Sequence, residues 1–80
     1  MREKQDRVPV GRRALIVRVN RLLSGRGEVM RTARSARMRQ RLGQYFRVSL
    51  RRKRLVEANI NLEVFARKVG VLQKWEECRE

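Results

Sequence analysis

The chain contains no histidine, a single cysteine and a single proline, and only four of its 80 residues are aromatic. Carboxylates are few as well, 8 against 22 lysines and arginines. Each shortage removes a class of function. One cysteine and no histidine cannot build a zinc cluster, so no metal site is expected. Cys78 alone builds no disulfide framework, and a lone thiol fits a reducing compartment. No histidine, no glycine-rich phosphate loop and no paired carboxylates on one face leave catalysis with little support, so the reading is non-enzymatic and without a cofactor. The longest apolar run, Ala14-Leu15-Ile16-Val17, is far too short to span a membrane. Met1 to Asp6 carries Glu3 and Asp6 and leads into no apolar segment, so no signal peptide is expected and the location is read as cytoplasmic.

What the chain has is positive charge. The net charge is +14, and 18 of the 22 basic residues are arginine. Self-repulsion at this density opposes the compact state, so folding does not require it. A basic chain of this kind points to a polyanionic partner, nucleic acid first. Arginine suits that partner, because its planar fork makes two parallel hydrogen bonds to phosphate and stacks on bases. The charge is uneven: +6 over residues 1–27, +9 over 28–54 and −1 over 55–80. The binding surface is therefore expected from the first two-thirds.

Eighty residues make one domain. Residues 1–8 are polar or interrupted by Pro9 and are expected to fray. Arg12 to Leu23 reads as an amphipathic helix. Leu15, Ile16, Val19, Leu22 and Leu23 share an arc about 120° wide, the width of a core-facing stripe. Ser24-Gly25-Arg26-Gly27 ends it. Glu28 to Ala33 is ambiguous: a short strand, or part of a helix from Val29 to Leu42. Arg34 to Arg41 has four arginines in eight positions and reads as a mobile loop. Gln44 to Leu50 alternates as a strand, with Phe46, Val48 and Leu50 on the core side and Tyr45, Arg47 and Ser49 opposite. Leu55 to Ala58 is its partner across a basic turn longer than two residues. Asn61 caps a last helix bearing Leu62, Phe65, Ala66 and Val69, and Gly70 ends it. Residues 73–80 form a tail in which Trp75 folds back as a lid on the core. The expected fold is α+β in the order αβββα, an antiparallel three-stranded sheet with two helices on one face.

This order and size resemble the αβββα double-stranded-RNA-binding domains and the small toxin ribonucleases of similar layout. The resemblance does not extend to motifs: the last helix begins Asn61-Leu62-Glu63 without the lysine cluster of the first family, and the chain lacks the catalytic histidine of the second. The stretches Leu42-Gly43-Gln44-Tyr45-Phe46, Asn61-Leu62-Glu63 and Ala66 to Leu72 are similar to small proteins of bacterial mobile elements.

Two basic clusters are candidate phosphate contacts: Arg34, Arg37, Arg39 and Arg41, and the turn Arg51, Arg52, Lys53 and Arg54. Residues 28–54 hold only one carboxylate, Glu28, to neutralise them. Tyr45 and Arg47, on one strand face, are candidates to stack on a base. Nothing in the pattern separates DNA from RNA. The alternative is an inhibitor or adaptor that docks on a host protein or ribonucleoprotein complex, with Val71, Leu72 and Trp75 as the partner or self-association surface.

Overall fold

The computed structural model describes residues 7–79. The elements are β1 (Val8–Gly11), α1 (Arg12–Ser24), β2 (Glu28–Thr32), α2 (Ala36–Leu42), β3 (Tyr45–Ser49), β4 (Arg54–Glu57), α3 (Leu62–Lys68) and β5 (Glu76–Arg79). The chain is α+β with an antiparallel sheet in the order β2-β3-β4. The simple αβββα order is interrupted: α2 lies between the first two strands of that sheet, and a second, parallel pair joins β1 to β5.

Packing of α1 organises the core. Leu15, Val19 and Leu23 are fully buried, with Ile16 and Leu22 packed against the same cluster. Burial of a side chain of this kind contributes about 1.5–3 kcal/mol. That outweighs an unfavourable start: Gly11 gives α1 no side-chain cap, and its first turn contains no acidic residue. Leu62, Phe65 and Ala66 of α3 complete the cluster with Met30 of β2 and Tyr45 of β3, so α1 and α3 cover one face of the sheet. Asn61 caps α3 as expected, its Oδ1 accepting from Val64 N–H at 3.1 Å. At the other end Val71 N–H donates to Ala66 C=O and Gly70 N–H to Arg67 C=O. This double bond pattern requires the left-handed backbone that Gly70 supplies at φ 83°.

Three segments depart from expectation. The arginine-rich stretch is a helix, α2, rather than a loop. Ser35 Oγ accepts from Met38 N–H at 3.1 Å, and the residues that follow are mostly good helix formers. Gly43 ends α2 at φ 80° and lies so close to Asn59 that an added Cβ would come within 2.7 Å of its Cα. The tail is also structured. Glu76 to Arg79 pair in parallel with Val8 to Gly11, so Val8 belongs to a strand, while residues 1–6 lie outside the described residues. Trp75 is no lid: it is 61% exposed.

The third departure is the parity of β3. Tyr45 belongs to the helix-covered cluster and Arg47 sits over the Phe65 ring, 5.4 Å from its centroid. Phe46 is buried outside that cluster, beside Met38 of α2, and Leu50 is exposed. Arg47 faces inward because two carboxylates meet it there. Its Nη1 donates to Glu28 Oε1 and its Nη2 to Glu57 Oε1, both at 3.1 Å.

The segment linking α3 to β5 is held by arginines from both covering helices. Arg18 forms a two-pronged bond to the Glu76 carboxylate, at 2.9 and 3.1 Å, and Arg67 donates to the Glu76 and Gln73 carbonyls. Hydrogen bonding from Arg18, then from the Gln73 N–H, holds the Glu76 carboxyl below its ordinary range. A depressed carboxyl contributes stability above its unfolded pKa, and that contribution is lost as pH falls through the folded value. Glu76→Gln is therefore expected to lower the Tm at neutral pH and to flatten the loss of stability in acid, read from thermal melts across a pH series. Phe65→Ala empties a buried aromatic site and is expected to cost about 3–5 kcal/mol by chemical denaturation.

Candidate nucleic-acid interface

All five described carboxylates are in ion pairs: Glu28 and Glu57 with Arg47, Glu63 with Arg67, Glu76 with Arg18 and Glu77 with Arg79. Four arginines thus absorb the described negative charge. The remaining exposed cations have no carboxylate within reach among the described residues, and both expected clusters are in that group.

The first cluster lies at the α2 end. Arg34 precedes the helix and Arg37, Arg39 and Arg41 are on it, all exposed. Arg37 and Arg41 are one turn apart and line a shallow depression with Met38 and Leu42. Arg39 is two residues from each and points to another side of the helix. No residue of α2 is buried, so the helix stands as a charged flange attached through Ser35 and Gly43.

The second cluster lies at the other end of β3. Arg51, Arg52 and Lys53 occupy the β3–β4 turn and Arg54 begins β4. The turn is four residues long, Leu50 to Lys53, with Ser49 Oγ accepting from Arg52 N–H at 3.0 Å. It packs on the α1–β2 connection, where Leu50 N–H donates to Gly27 C=O at 2.8 Å and the Arg51 side chain lies beside Gly27. That contact brings in Arg26. Arg26, Arg51, Arg52 and Arg54 surround a cleft of about 420 Å³ whose one carboxylate, Glu28, is bonded to Arg47. Charge density alone did not single out Arg26; the strand pairing that folds its turn onto the β3–β4 turn did. The clusters are separated by the length of β3, roughly 16 Å at 3.3 Å per residue.

Two residues expected at the surface are not there. Tyr45 is 7% exposed, and its hydroxyl accepts from Arg12 Nη1 at 3.4 Å. It offers no ring face to a base. The Arg47 side chain is 17% exposed and held by Glu28, Glu57 and Phe65. Of the expected partner surface, Leu72 is in the core and Val71 is half-buried, leaving Trp75 exposed.

Unpaired guanidinium groups on two sides of a small domain can each grip phosphate oxygens through paired N–H donors. Among the described residues no helix is long and apolar enough to cross a membrane. No family model matches the chain, and no curated protein or solved structure is significantly similar to it.

The geometry assigns Arg47 to the fold rather than to a ligand. Arg47→Ala leaves two carboxylates without their cation and is expected to cost about 2 kcal/mol, the scale of hydrogen bonds to charged groups. Parallel thermal melts and salt titrations check this: the Tm falls while the salt dependence of polyanion binding stays that of the parent chain.

Proposed function

We propose that this protein is a non-enzymatic nucleic-acid-binding module that contacts phosphates through Arg34, Arg37, Arg39 and Arg41 at one end of β3 and Arg26, Arg51, Arg52, Lys53 and Arg54 at the other. The observation that carries the reading is the complete engagement of the described carboxylates by Arg18, Arg47, Arg67 and Arg79. The cations named above are exposed, gathered at two ends of one strand and without a carboxylate partner among the described residues. Such a surface favours a polyanion that spans it. Double-stranded DNA presents about one charge per 1.7 Å of axis, so a span of roughly 16 Å meets several phosphates of one ligand.

A second reading keeps one observation in its favour. Trp75 is exposed beside the β1–β5 pair, and tryptophan is a frequent anchor of protein interfaces. An inhibitor or adaptor docking on a host protein or ribonucleoprotein complex would use it.

Salt titration separates the readings. With phosphate neutralisation log K falls linearly with log salt, by about 0.9 per contact on duplex DNA. Replacing the basic residues of either cluster with alanine is expected to lower that slope by about half, and replacing both to abolish binding, with the circular dichroism of a folded α+β protein retained. Trp75→Ala leaves the slope unchanged. A salt-independent parent chain, or cluster variants that keep the parent slope, rejects the proposal.

A further inference from the structure

One groove borders the first cluster and shares Arg34 with it. It runs between the outer edge of β2 and α2, has a volume of about 490 Å³, and is lined in part by Val29, Arg31, Thr32, Arg34, Met38 and Phe46. Its size is that of a small-ligand site, roughly 300–1,000 Å³. Its chemistry is divided. Val29, Met38 and Phe46 provide apolar wall, Met38 being 37% exposed. Arg31 and Arg34 are exposed cations with no carboxylate partner among the described residues.

The edge of β2 adds the third component. Asn20 of α1 lies along this edge, its Nδ2 donating to Met30 C=O at 3.3 Å and its Oδ1 accepting from Met30 N–H at 2.6 Å. Met30 therefore turns its backbone groups outward, away from β3. In an antiparallel ladder these orientations alternate, so Thr32, two residues on and opposite Tyr45, turns its N–H and C=O to the same outer edge. Ala33 N–H, one residue later, points inward to Gln44 C=O, as the alternation requires. Asn20 satisfies Met30; Thr32 has no corresponding side chain, and it faces the groove.

We propose that this groove receives one unpaired base of a single-stranded nucleic acid, with its flanking phosphates on Arg31 and Arg34. A base has flat apolar faces and an edge of hydrogen-bond donors and acceptors. Met38 and Val29 meet the faces above a floor that includes the buried Phe46, and the adjacent N–H and C=O of Thr32 meet the edge. A paired and stacked base cannot reach a strand edge beneath a helix, so the site discriminates against duplex. This inference rests on the nucleic-acid reading above and goes beyond it by naming the strand state and the base site.

The test uses the full chain, a labelled oligouridylate and an RNA duplex matched for number of phosphates. Tighter binding of the single strand is expected. Met38→Ala, a change on an exposed side chain, is expected to weaken oligouridylate binding roughly tenfold, within the range of a lost base contact. Duplex affinity and both salt slopes stay unchanged. Thr32→Pro removes one edge donor at a position where proline is tolerated, and is expected to act in the same selective way in a chain whose thermal melt is preserved. Photocross-linking with 5-iodouracil in the strand is expected to map within residues 29–46. Equal binding of the two probes, a Met38→Ala effect common to both, or cross-links confined to the 50–54 turn overturns the base site while leaving phosphate binding intact. Salt-independent binding of both probes overturns the underlying reading instead.

Discussion

Scarcity of carboxylates is the constraint on which the rest of this structure depends. With 8 acidic residues against 22 basic ones, each glutamate that is placed decides which arginine becomes part of the fold. Glu28 and Glu57, on the two strands flanking β3, draw Arg47 to the helix-covered side. Glu76, at the start of β5, draws Arg18 from α1. Isolated surface ion pairs contribute little, but these join elements far apart in sequence and set the order of layers. The cations left without partners repel one another in the folded state and less so in an expanded chain. A polyanion that binds them relieves that repulsion and, by binding only the folded state, stabilises it. On the proposed reading, anion binding and folding are coupled in this molecule, and the internal glutamates hold the fold in the absence of the ligand.

The parts legible in the sequence are those where one physical signal acted alone. The apolar arc of α1 is wide and uninterrupted, and its residues form the core as read. Asn61 and Gly70 mark the ends of α3 through capping chemistry that needs no tertiary context. The illegible parts are those where charge masked a second signal. In the stretch from Arg34 to Arg41 the run of arginines suggested a solvated loop, although Ser35 followed by Ala36, Arg37 and Met38 is a capped start with good helix formers. In β3 the alternation was read with its apolar side inward. The true side carries Tyr45 and Arg47, because an arginine neutralised by two strands and stacked on a ring can occupy the inner face. No local pattern reveals that Glu28 and Glu57 flank it; the pairing of three strands does. The same applies to β5, whose four residues are polar or small and gain strand geometry only by pairing with β1, 68 positions earlier in the case of Val8 and Glu76.

Of the candidate site, the clusters in the α2 segment and the β3–β4 turn were legible because they are contiguous and lack acidic neighbours. Arg26 and Arg31 were not, since each stands alone in sequence. Arg26 joins the turn cluster through the contact between Leu50 and Gly27, and Arg31 reaches the α2 groove through strand geometry. The two edges of the antiparallel sheet are handled differently as well. On β2, the Asn20 amide occupies the Met30 backbone groups as a neighbouring strand would. On β4, a register irregularity near Arg47 and Val48, with charged Arg54 and Glu57 at the strand ends, discourages another strand from adding.

The preference for arginine over lysine has one origin inside this structure and, on the proposed reading, a second at its surface. Inside, each structural arginine does what a single ammonium cannot. Arg18 spans both oxygens of Glu76 and also reaches the Val71 carbonyl. Arg47 bridges carboxylates on two different strands while its planar group lies over Phe65. Arg67 bonds Glu63 and two carbonyls of the segment leading into β5. A lysine has the donors but not the fixed fork that directs them to separate elements at once. Outside, the same fork matches phosphate. The internal arginines account for part of the compositional bias without any ligand, so the ratio of arginine to lysine does not by itself point to phosphate. Location separates the two groups: the internal arginines have their carboxylates, and the exposed ones at the two ends of β3 and along the outer edge of β2 have none among the described residues.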